Sequence, residues 1–135
     1  MRAKILLVLP PCRRSALLDL LEDENLEVVA ASSFEEAKKR LGGTASYDLL
    51  IVDAELPDGS WRDLLQVTLG SKKTCEVIVC SRCGDEQLWA EVFQCGGYDL
   101  IAEPYDRQEV LRIVQSALDS RYMERFAGRR VAQSA

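Results

Sequence analysis

The sequence predicts an α/β fold in which five strands form one parallel sheet and helices cover both of its faces, a doubly wound arrangement. Short apolar runs alternate with segments of helical periodicity, and turn or capping residues separate them. No internal repeat, linker or low-complexity segment interrupts this order. The chain has 135 residues, 47% of them hydrophobic and 29% charged, which suits one packed domain.

The predicted strands are short apolar runs bounded by turn residues. The third run, beginning at Leu49, places four apolar side chains in succession, which is typical of a strand that is buried on both faces. The five predicted strands cover residues 3–9, 26–31, 49–53, 76–80 and 98–102.

Helices are predicted where apolar residues recur every three or four positions behind an N-terminal cap. In the second helix, Ser33 and Glu36 form a capping box and Gly42 marks the end. The last helix begins with a similar box at Asp106, and its apolar positions continue to about Gly128. The predicted helices cover residues 12–25, 33–43, 60–70, 85–97 and 106–128.

A carboxylate, Asp53, stands at the end of the buried third run. An unpaired carboxylate inside the sheet would cost several kcal/mol, so we expect Asp53 where the strand emerges. In parallel sheets, ligands bind at the carboxyl ends of the strands, near the point where the strand order reverses. The other strand ends that should converge there are Leu9-Pro10-Pro11, Cys80-Ser81 and Glu103-Pro104.

Charge and residue types argue against several kinds of function. A net charge of −5 argues against a nucleic-acid-binding surface, which needs a basic stripe. The absence of histidine removes the commonest general base and metal ligand. No apolar run approaches the about 20 residues of a membrane span, and the first apolar block is too short for a signal peptide. We therefore expect a cytoplasmic protein that binds neither membrane nor nucleic acid.

Over residues 4 to about 119, the sequence resembles the CheY-like receiver domain of bacterial response regulators. The segment LLIVDAELPDGS has Asp53 at the phospho-acceptor position, and VIVCS has Ser81 at the signalling Ser/Thr position. In GGYDLIAEPYD, Pro104 matches a proline whose peptide bond is usually cis. The resemblance implies a flavodoxin-like fold with strand order 2-1-3-4-5 and a role in two-component phosphorelay signalling, with a sensor histidine kinase among the expected partners.

The sequence departs from the family at the positions that perform its chemistry. The two acids that hold magnesium in the family are Leu9 and Pro10 here, and neither side chain can bind a metal. The lysine that contacts the phosphoryl group is Glu103, and the aromatic residue that rotates on switching is Leu100. We expect no cofactor, with magnesium weakly bound at Asp53 or absent, and no catalytic activity. The departures indicate a pseudo-receiver that acts by protein–protein binding.

Electrostatics also disfavours a phosphorylated form. Losing the metal and the lysine should slow phosphoryl transfer by roughly four orders of magnitude or more. If Glu103 faces Asp53 without a cation, two charges about 4 Å apart at an effective dielectric of about 20 repel by about 4 kcal/mol. In that case Glu103→Lys or Asp53→Asn would stabilise the fold, whereas a Glu103 turned to solvent would have little effect. The phosphorylated form is therefore disfavoured unless an arginine reaches the site as a substitute cation, and the candidates are Arg13, Arg14 and Arg82.

A different class of function is suggested by the C-x-x-C segment from Cys80 to Cys83, which lies between a strand and a helix. Such a pair can perform thiol redox chemistry, and Cys12 could add a third thiol for a metal site. Against this, the following helix opens with two acids, and Cys80 continues a buried strand, where a free cysteine packs as a small apolar residue. A nucleotide or flavin binder is a third class, but no glycine-rich loop follows the first strand.

We divide the chain into a receiver-like domain, residues 1–119, and an extension of the last helix with a C-terminal tail, residues 120–135. Apolar residues at helical spacing continue into this extension, which predicts a homodimer through the last helix. The stripe comprises Val114, Leu118, Tyr122 and Phe126, with Arg121, Arg125, Arg129 and Arg130 as a basic rim. The alternative is a frayed helix end and a disordered tail.

The resemblance also implies a surface for other protein partners. In the family, the face built from the fourth helix, fifth strand and fifth helix meets partners. The matching aromatic residues here are Trp89, Phe93, Tyr98 and Tyr105, and the sequence leaves open which of them are exposed.

Overall fold

A computed structural model of the protein describes residues 3–22, 25–70 and 75–134, with the side chains of 124–134 left undescribed. Five strands alternate with five helices along the chain. The strands are β1 (Ala3–Val8), β2 (Leu26–Ala31), β3 (Leu49–Asp53), β4 (Glu76–Ser81) and β5 (Asp99–Ala102). The helices are α1 (Pro11–Leu20), α2 (Phe34–Leu41), α3 (Trp61–Leu69), α4 (Glu86–Gln94) and α5 (Arg107–Ser134).

All five strands pair in parallel, in the order β2-β1-β3-β4-β5. This confirms the predicted fold class and strand order. The chain runs outwards from β1 to β2 and then returns to place β3 on the other side of β1. The reversal of strand order therefore lies between β1 and β3, and their carboxyl ends flank the crevice where such sheets bind ligands.

The core consists of two apolar layers, one on each face of the sheet. Leu49 and Ile51 of β3 face the layer covered by α1 and α5, whereas Leu50 and Val52 face the layer covered by α2, α3 and α4. This alternation follows from the two-residue period of a strand. Both faces of β3 are buried, which explains the uninterrupted apolar run before Asp53.

Side-chain caps fix the starts of several helices. The hydroxyl of Ser33 accepts a hydrogen bond from the Glu36 amide at 3.2 Å, as the predicted capping box requires. Asp85 accepts from the Leu88 amide at 2.6 Å and so begins α4. After α4, Gly96 has a φ of 96°, a conformation that glycine adopts without strain.

Several element boundaries differ from the prediction. Helix α1 begins at Pro11 and ends at Leu20, earlier than the expected end at Asn25. Helix α5 passes through Gly128 and continues to Ser134, so the predicted end at Gly128 is wrong. A glycine inside a helix costs only about 1 kcal/mol relative to alanine, and this cost alone does not end a helix.

Among the described residues, no helix is both long and apolar enough to cross a membrane.

The expected basic rim on α5 is wrong at Arg121. This residue is only 5% exposed, and its Nε lies 3.4 Å from Oδ1 of Asp48. The carboxylate before β3 draws the arginine inwards, and its other oxygen accepts from the Lys4 amide at 2.9 Å. Along the predicted stripe, Val114 is buried and Tyr122 is exposed. The predictions for Arg125, Phe126, Arg129 and Arg130 concern side chains outside the described part of the chain.

Candidate functional site

Asp53 lies at the carboxyl end of β3, but its side chain is fully buried. Its Oδ1 accepts a hydrogen bond from the Glu55 amide at 3.1 Å, so the chain turns back on the carboxylate directly after the strand. A fully buried carboxylate needs a compensating charge or several hydrogen bonds. One amide supplies only part of this requirement.

Arg13 supplies the charge. Its Nη1 donates a hydrogen bond to Oδ2 of Asp53 in a close ion pair. The side chains of Arg13 and Asp53 are 7% and 0% exposed, respectively, so solvent screens the pair little. Burial alone would lower the pKa of Arg13, but the hydrogen bond and charge of Asp53 outweigh that effect and hold the pKa above its usual value.

The same guanidinium also contacts Glu103, which follows β5. Its Nη2 and Nε lie 3.3 and 3.4 Å from Oε1 of Glu103, whose side chain is 38% exposed. The planar arrangement of arginine donors allows one side chain to serve two carboxylates. Asp53 and Glu103 therefore do not face each other without a cation, so the condition for a stabilising Glu103→Lys or Asp53→Asn substitution is not met.

The chain brings Arg13 to this place through the short connection from β1 to α1. Leu9 is buried, and Pro10 leads into α1 without a side-chain cap. Pro11 occupies the first helical position, where its fixed φ is favourable and its missing amide costs nothing. Arg13 consequently lies in the first turn of α1, above the end of β3.

Of the three candidate cations, only Arg13 contacts the two acids. Arg14 donates from Nη1 to the Ser32 hydroxyl at 3.3 Å. Arg82 is exposed and lines an open cleft of about 930 Å³ next to Arg13. The sequence named the arginines but contained no signal that ranked them, since the choice depends on where α1 begins.

The side chains of Ser81 and Leu100, near the ends of β4 and β5, add no charged group to the site. Ser81 ends β4, and its hydroxyl accepts from the Cys83 amide at 3.1 Å and donates to the Cys83 carbonyl at 2.8 Å. Its hydrogen bonds therefore remain within its own loop. Leu100 is half-buried against the core, and the peptide bond between Glu103 and Pro104 is cis.

The cleft beside Arg13 has an uncompensated polar atom. The hydroxyl of Tyr105 is buried and has no hydrogen-bond partner among the described residues. Burial raises the pKa of Tyr105, so the phenol stays neutral at pH 7. The sequence left open whether Tyr105 is exposed, and the structure packs it partly against the core.

The loop after β3 is attached to the neighbouring helix. Asp58 accepts from the amides of Phe34 and Glu35, the first two residues of α2, at 2.8 and 3.1 Å. These hydrogen bonds, that of Phe34 first, lower the pKa of Asp58. A Cβ on Gly59 would lie 2.5 Å from Cγ of Phe34, so only glycine fits against α2 there.

The cysteines of the predicted redox pair differ in environment. Cys80 is buried, and burial, followed by the charge of Asp53, raises its pKa. Cys83 and Cys12 are exposed. Within the described residues, no group of three or more histidine, cysteine or acidic side chains is arranged to hold a metal, so the alternative of a three-thiol metal site is not supported.

Comparison with known proteins identifies the family of the domain. The family model of the response regulator receiver domain matches residues 11–115. The chain is 24% identical over 109 residues to the chemotaxis protein CheY of Listeria monocytogenes, covering 77% of this chain and 87% of that protein. It is 30% identical over 116 residues to the transcriptional regulatory protein ResD of Bacillus subtilis, covering 85% of this chain and 48% of ResD.

Solved receiver domains share the fold. The signal receiver domain of a putative LuxO repressor from Vibrio parahaemolyticus superposes with a TM-score of 0.83 at 22% identity, over 94% of this chain and 98% of that one. The receiver domain of an HD domain-containing protein from Pseudomonas fluorescens gives a TM-score of 0.81 at 26% identity, over 91% and 99% of the two chains. The chain therefore belongs to the response regulator receiver domain family of bacterial two-component signalling.

Proposed function

We propose that this receiver domain is a pseudo-receiver that signals by binding other proteins and that does not need phosphorylation of Asp53. The observation that carries the proposal is the buried contact of Arg13 with Asp53, in which a side chain of the protein supplies the positive charge. Because the cation belongs to the chain, Asp53 is already paired with a positive charge when the domain folds.

The residues present do not fit a magnesium ion. Magnesium prefers oxygen ligands in near-octahedral geometry, and neither Leu9 nor Pro10 has a side-chain oxygen. Oδ2 of Asp53 accepts from Arg13, and Oδ1 accepts from the Glu55 amide. The guanidinium also repels a second cation at the same place. We therefore propose that the domain has no tightly bound metal and no other cofactor.

The charge balance also opposes a stable phosphoryl group. Asp53 and Glu103 carry two negative charges against the single positive charge of Arg13. A phosphoryl group on Asp53 would bring further negative charge into a site that already has an excess of it. Phosphoryl transfer depends on neutralising that charge, and here the place of the lysine is taken by Glu103.

Binding is then the output, and we propose cytoplasmic protein partners, among which a sensor histidine kinase is a candidate. The relatives ResD and CheY support this proposal, since both are regulatory proteins.

We further propose a homodimer through α5, because Tyr122 and Met123 are large apolar side chains exposed on that helix. Neither partner requires the domain to perform catalysis.

The first prediction concerns phosphorylation. Incubation with acetyl phosphate, with and without magnesium, should give no stable mass increase of one phosphoryl group, because Arg13 and Glu103 replace the metal and the lysine. Intact-mass spectrometry of the wild type and of Asp53→Asn measures the outcome. A rapid gain in the wild type that is absent in Asp53→Asn would contradict the proposal. A receiver domain with the complete acid pair serves as the control for the reagent.

The second prediction concerns the buried ion pair. Arg13→Met should destabilise the fold by about 3 to 5 kcal/mol, because it leaves the buried carboxylate of Asp53 without a cation. Asp53→Asn should destabilise it less, because Arg13 keeps its contact with Glu103. The double variant should lose less free energy of unfolding than the sum of the losses in the two single variants. Urea unfolding of all four proteins gives the comparison.

Glu103→Gln is the matched control for this cycle, because it removes the second acid from the same guanidinium. Glu103 is partly exposed, so its loss should cost about 1 kcal/mol or less. An Asp53→Asn variant that is as stable as the wild type would show that the pair does not support the fold.

The third prediction separates core packing from thiol chemistry. At neutral pH, iodoacetamide should modify Cys12 and Cys83, whereas Cys80 should react only after unfolding, because it is buried with a raised pKa. Peptide mapping of the native and urea-unfolded protein measures this difference. Labelling of Cys80 as fast as that of Cys83 in the native protein would favour the redox alternative.

The fourth prediction concerns self-association. Light scattering across micromolar concentrations should show a homodimer that weakens on Tyr122→Asp or on truncation after Asp119. Thr44→Asp adds the same charge at an exposed position outside α5 and should leave the mass unchanged. A monomeric mass for the wild type, unaffected by truncation, would remove the dimer proposal.

A further inference from the structure

The cleft beside Arg13 has the size and position of a small-molecule site. Its lining comes from the segments that follow β1, β4 and β5, so it lies at the carboxyl ends of the strands, where parallel sheets bind ligands. Its volume of about 930 Å³ is within the range of such sites. Asp53 is not among the lining residues, so a ligand in the cleft does not need to reach the phospho-acceptor position.

The cleft contains a positive charge that the described residues leave unpaired. Arg82 lines it, is exposed, and makes no ion pair with any described residue. Arg13, by contrast, already contacts two carboxylates. A guanidinium binds a carboxylate through two parallel hydrogen bonds, which makes the contact strong and specific in direction. Arg82 is therefore the position for the carboxylate of a ligand.

Glu103 supplies a negative charge to the same cleft. Its Oε1 contacts Arg13, whereas its Oε2 accepts no hydrogen bond from the described residues. Arg82 and Glu103 line the cleft together, yet among the described residues they form no ion pair with each other. Two opposite charges that share a cleft and stay apart are complementary to a ligand that carries both charges.

Uncharged side chains also line the cleft. Ala16 and Pro104 are exposed there, and Tyr105 adds a partly buried aromatic ring. The hydroxyl of Tyr105 is buried without a hydrogen-bond partner among the described residues, which is unfavourable. A small rotation of this side chain that brings the hydroxyl to a ligand oxygen would remove that cost. The cleft therefore offers an apolar surface and an unused donor in addition to its two charges.

We propose that this cleft binds a small zwitterion of the amino-acid class, with its carboxylate paired with Arg82, its ammonium group paired with Glu103 and its apolar part against Tyr105. A purely anionic ligand is repelled by Glu103 and a purely cationic ligand by Arg82, so the cleft selects a compound that carries both charges. The inference rests on the proposed function, since the ligand gives the pseudo-receiver an input that needs no phosphorylation. Glu103 connects this input to Arg13 and through it to Asp53.

The test compares compounds that differ in charge and share one aromatic body. L-Phenylalanine is the zwitterion, 3-phenylpropionate lacks the ammonium group, and 2-phenylethylamine lacks the carboxylate. Glycyl-L-phenylalanine is a second zwitterion, with its charges further apart. Titration at pH 7, followed by heteronuclear NMR, should show saturable shifts at the amides of Cys12, Ser15 and Arg82. We expect one zwitterion to bind about tenfold or more tightly than either singly charged compound. Equal affinities for all four compounds, or no binding of either zwitterion, would overturn the proposal.

Variants locate the site. Arg82→Gln should weaken binding of the zwitterion by about tenfold or more without weakening that of 2-phenylethylamine. Glu103→Gln should also weaken binding of the zwitterion, but not that of 3-phenylpropionate. Arg112→Gln is the matched control for Arg82→Gln, because Arg112 is another exposed arginine without an ion pair among the described residues, on α5. Unchanged affinity in both cleft variants, or an equal loss in Arg112→Gln, would overturn the proposal.

A further measurement separates this inference from the proposed function. Intact mass after acetyl phosphate treatment of the same protein preparation reports phosphorylation independently of ligand binding. A protein that gains a phosphoryl group and also binds the zwitterion would contradict the pseudo-receiver and support the cleft as a binding site. An unmodified protein that binds neither zwitterion would contradict the binding site alone and leave the pseudo-receiver intact.

Discussion

The ion pair between Arg13 and Asp53 is the interaction on which the arrangement of the site depends. Strand β3 is buried on both faces up to its last residue, so Asp53 ends the strand without access to water. The buried charge of Asp53 is tolerated because α1 begins shortly after β1 and brings the guanidinium of Arg13 into contact with this carboxylate. The start of α1 is itself unfavourable, since it lacks a side-chain cap and places a cation near the positive end of the helix dipole. The carboxylates offset that cost.

The residues around the pair are consistent with it. Leu9 is buried and adds to the core, and neither Leu9 nor Pro10 has a carboxylate that could compete with Asp53 for the arginine. Glu103 accepts from the same guanidinium, at a position where a cation would repel Arg13. Both carboxylates at this end of the sheet therefore contact one side-chain cation.

The sequence predicted the fold well because each element has a local signal: the apolar period, the cap or the terminal glycine. It located Asp53 and Glu103 through their places after strands. It could not choose Arg13 over Arg14, because one residue along a helix rotates the side chain by about 100° and only the start of α1 decides which one faces the site. The sequence also placed Arg121 at the surface, because its pattern gave no sign that Asp48 would pair with this arginine in the interior.

The attachment of Asp58 and Gly59 to the first turn of α2 limits how the loop after β3 can move. Two hydrogen bonds and close contact with the Phe34 ring join this loop to the N-terminus of α2. A displacement of the loop would have to break these hydrogen bonds or carry the first turn of α2 with it.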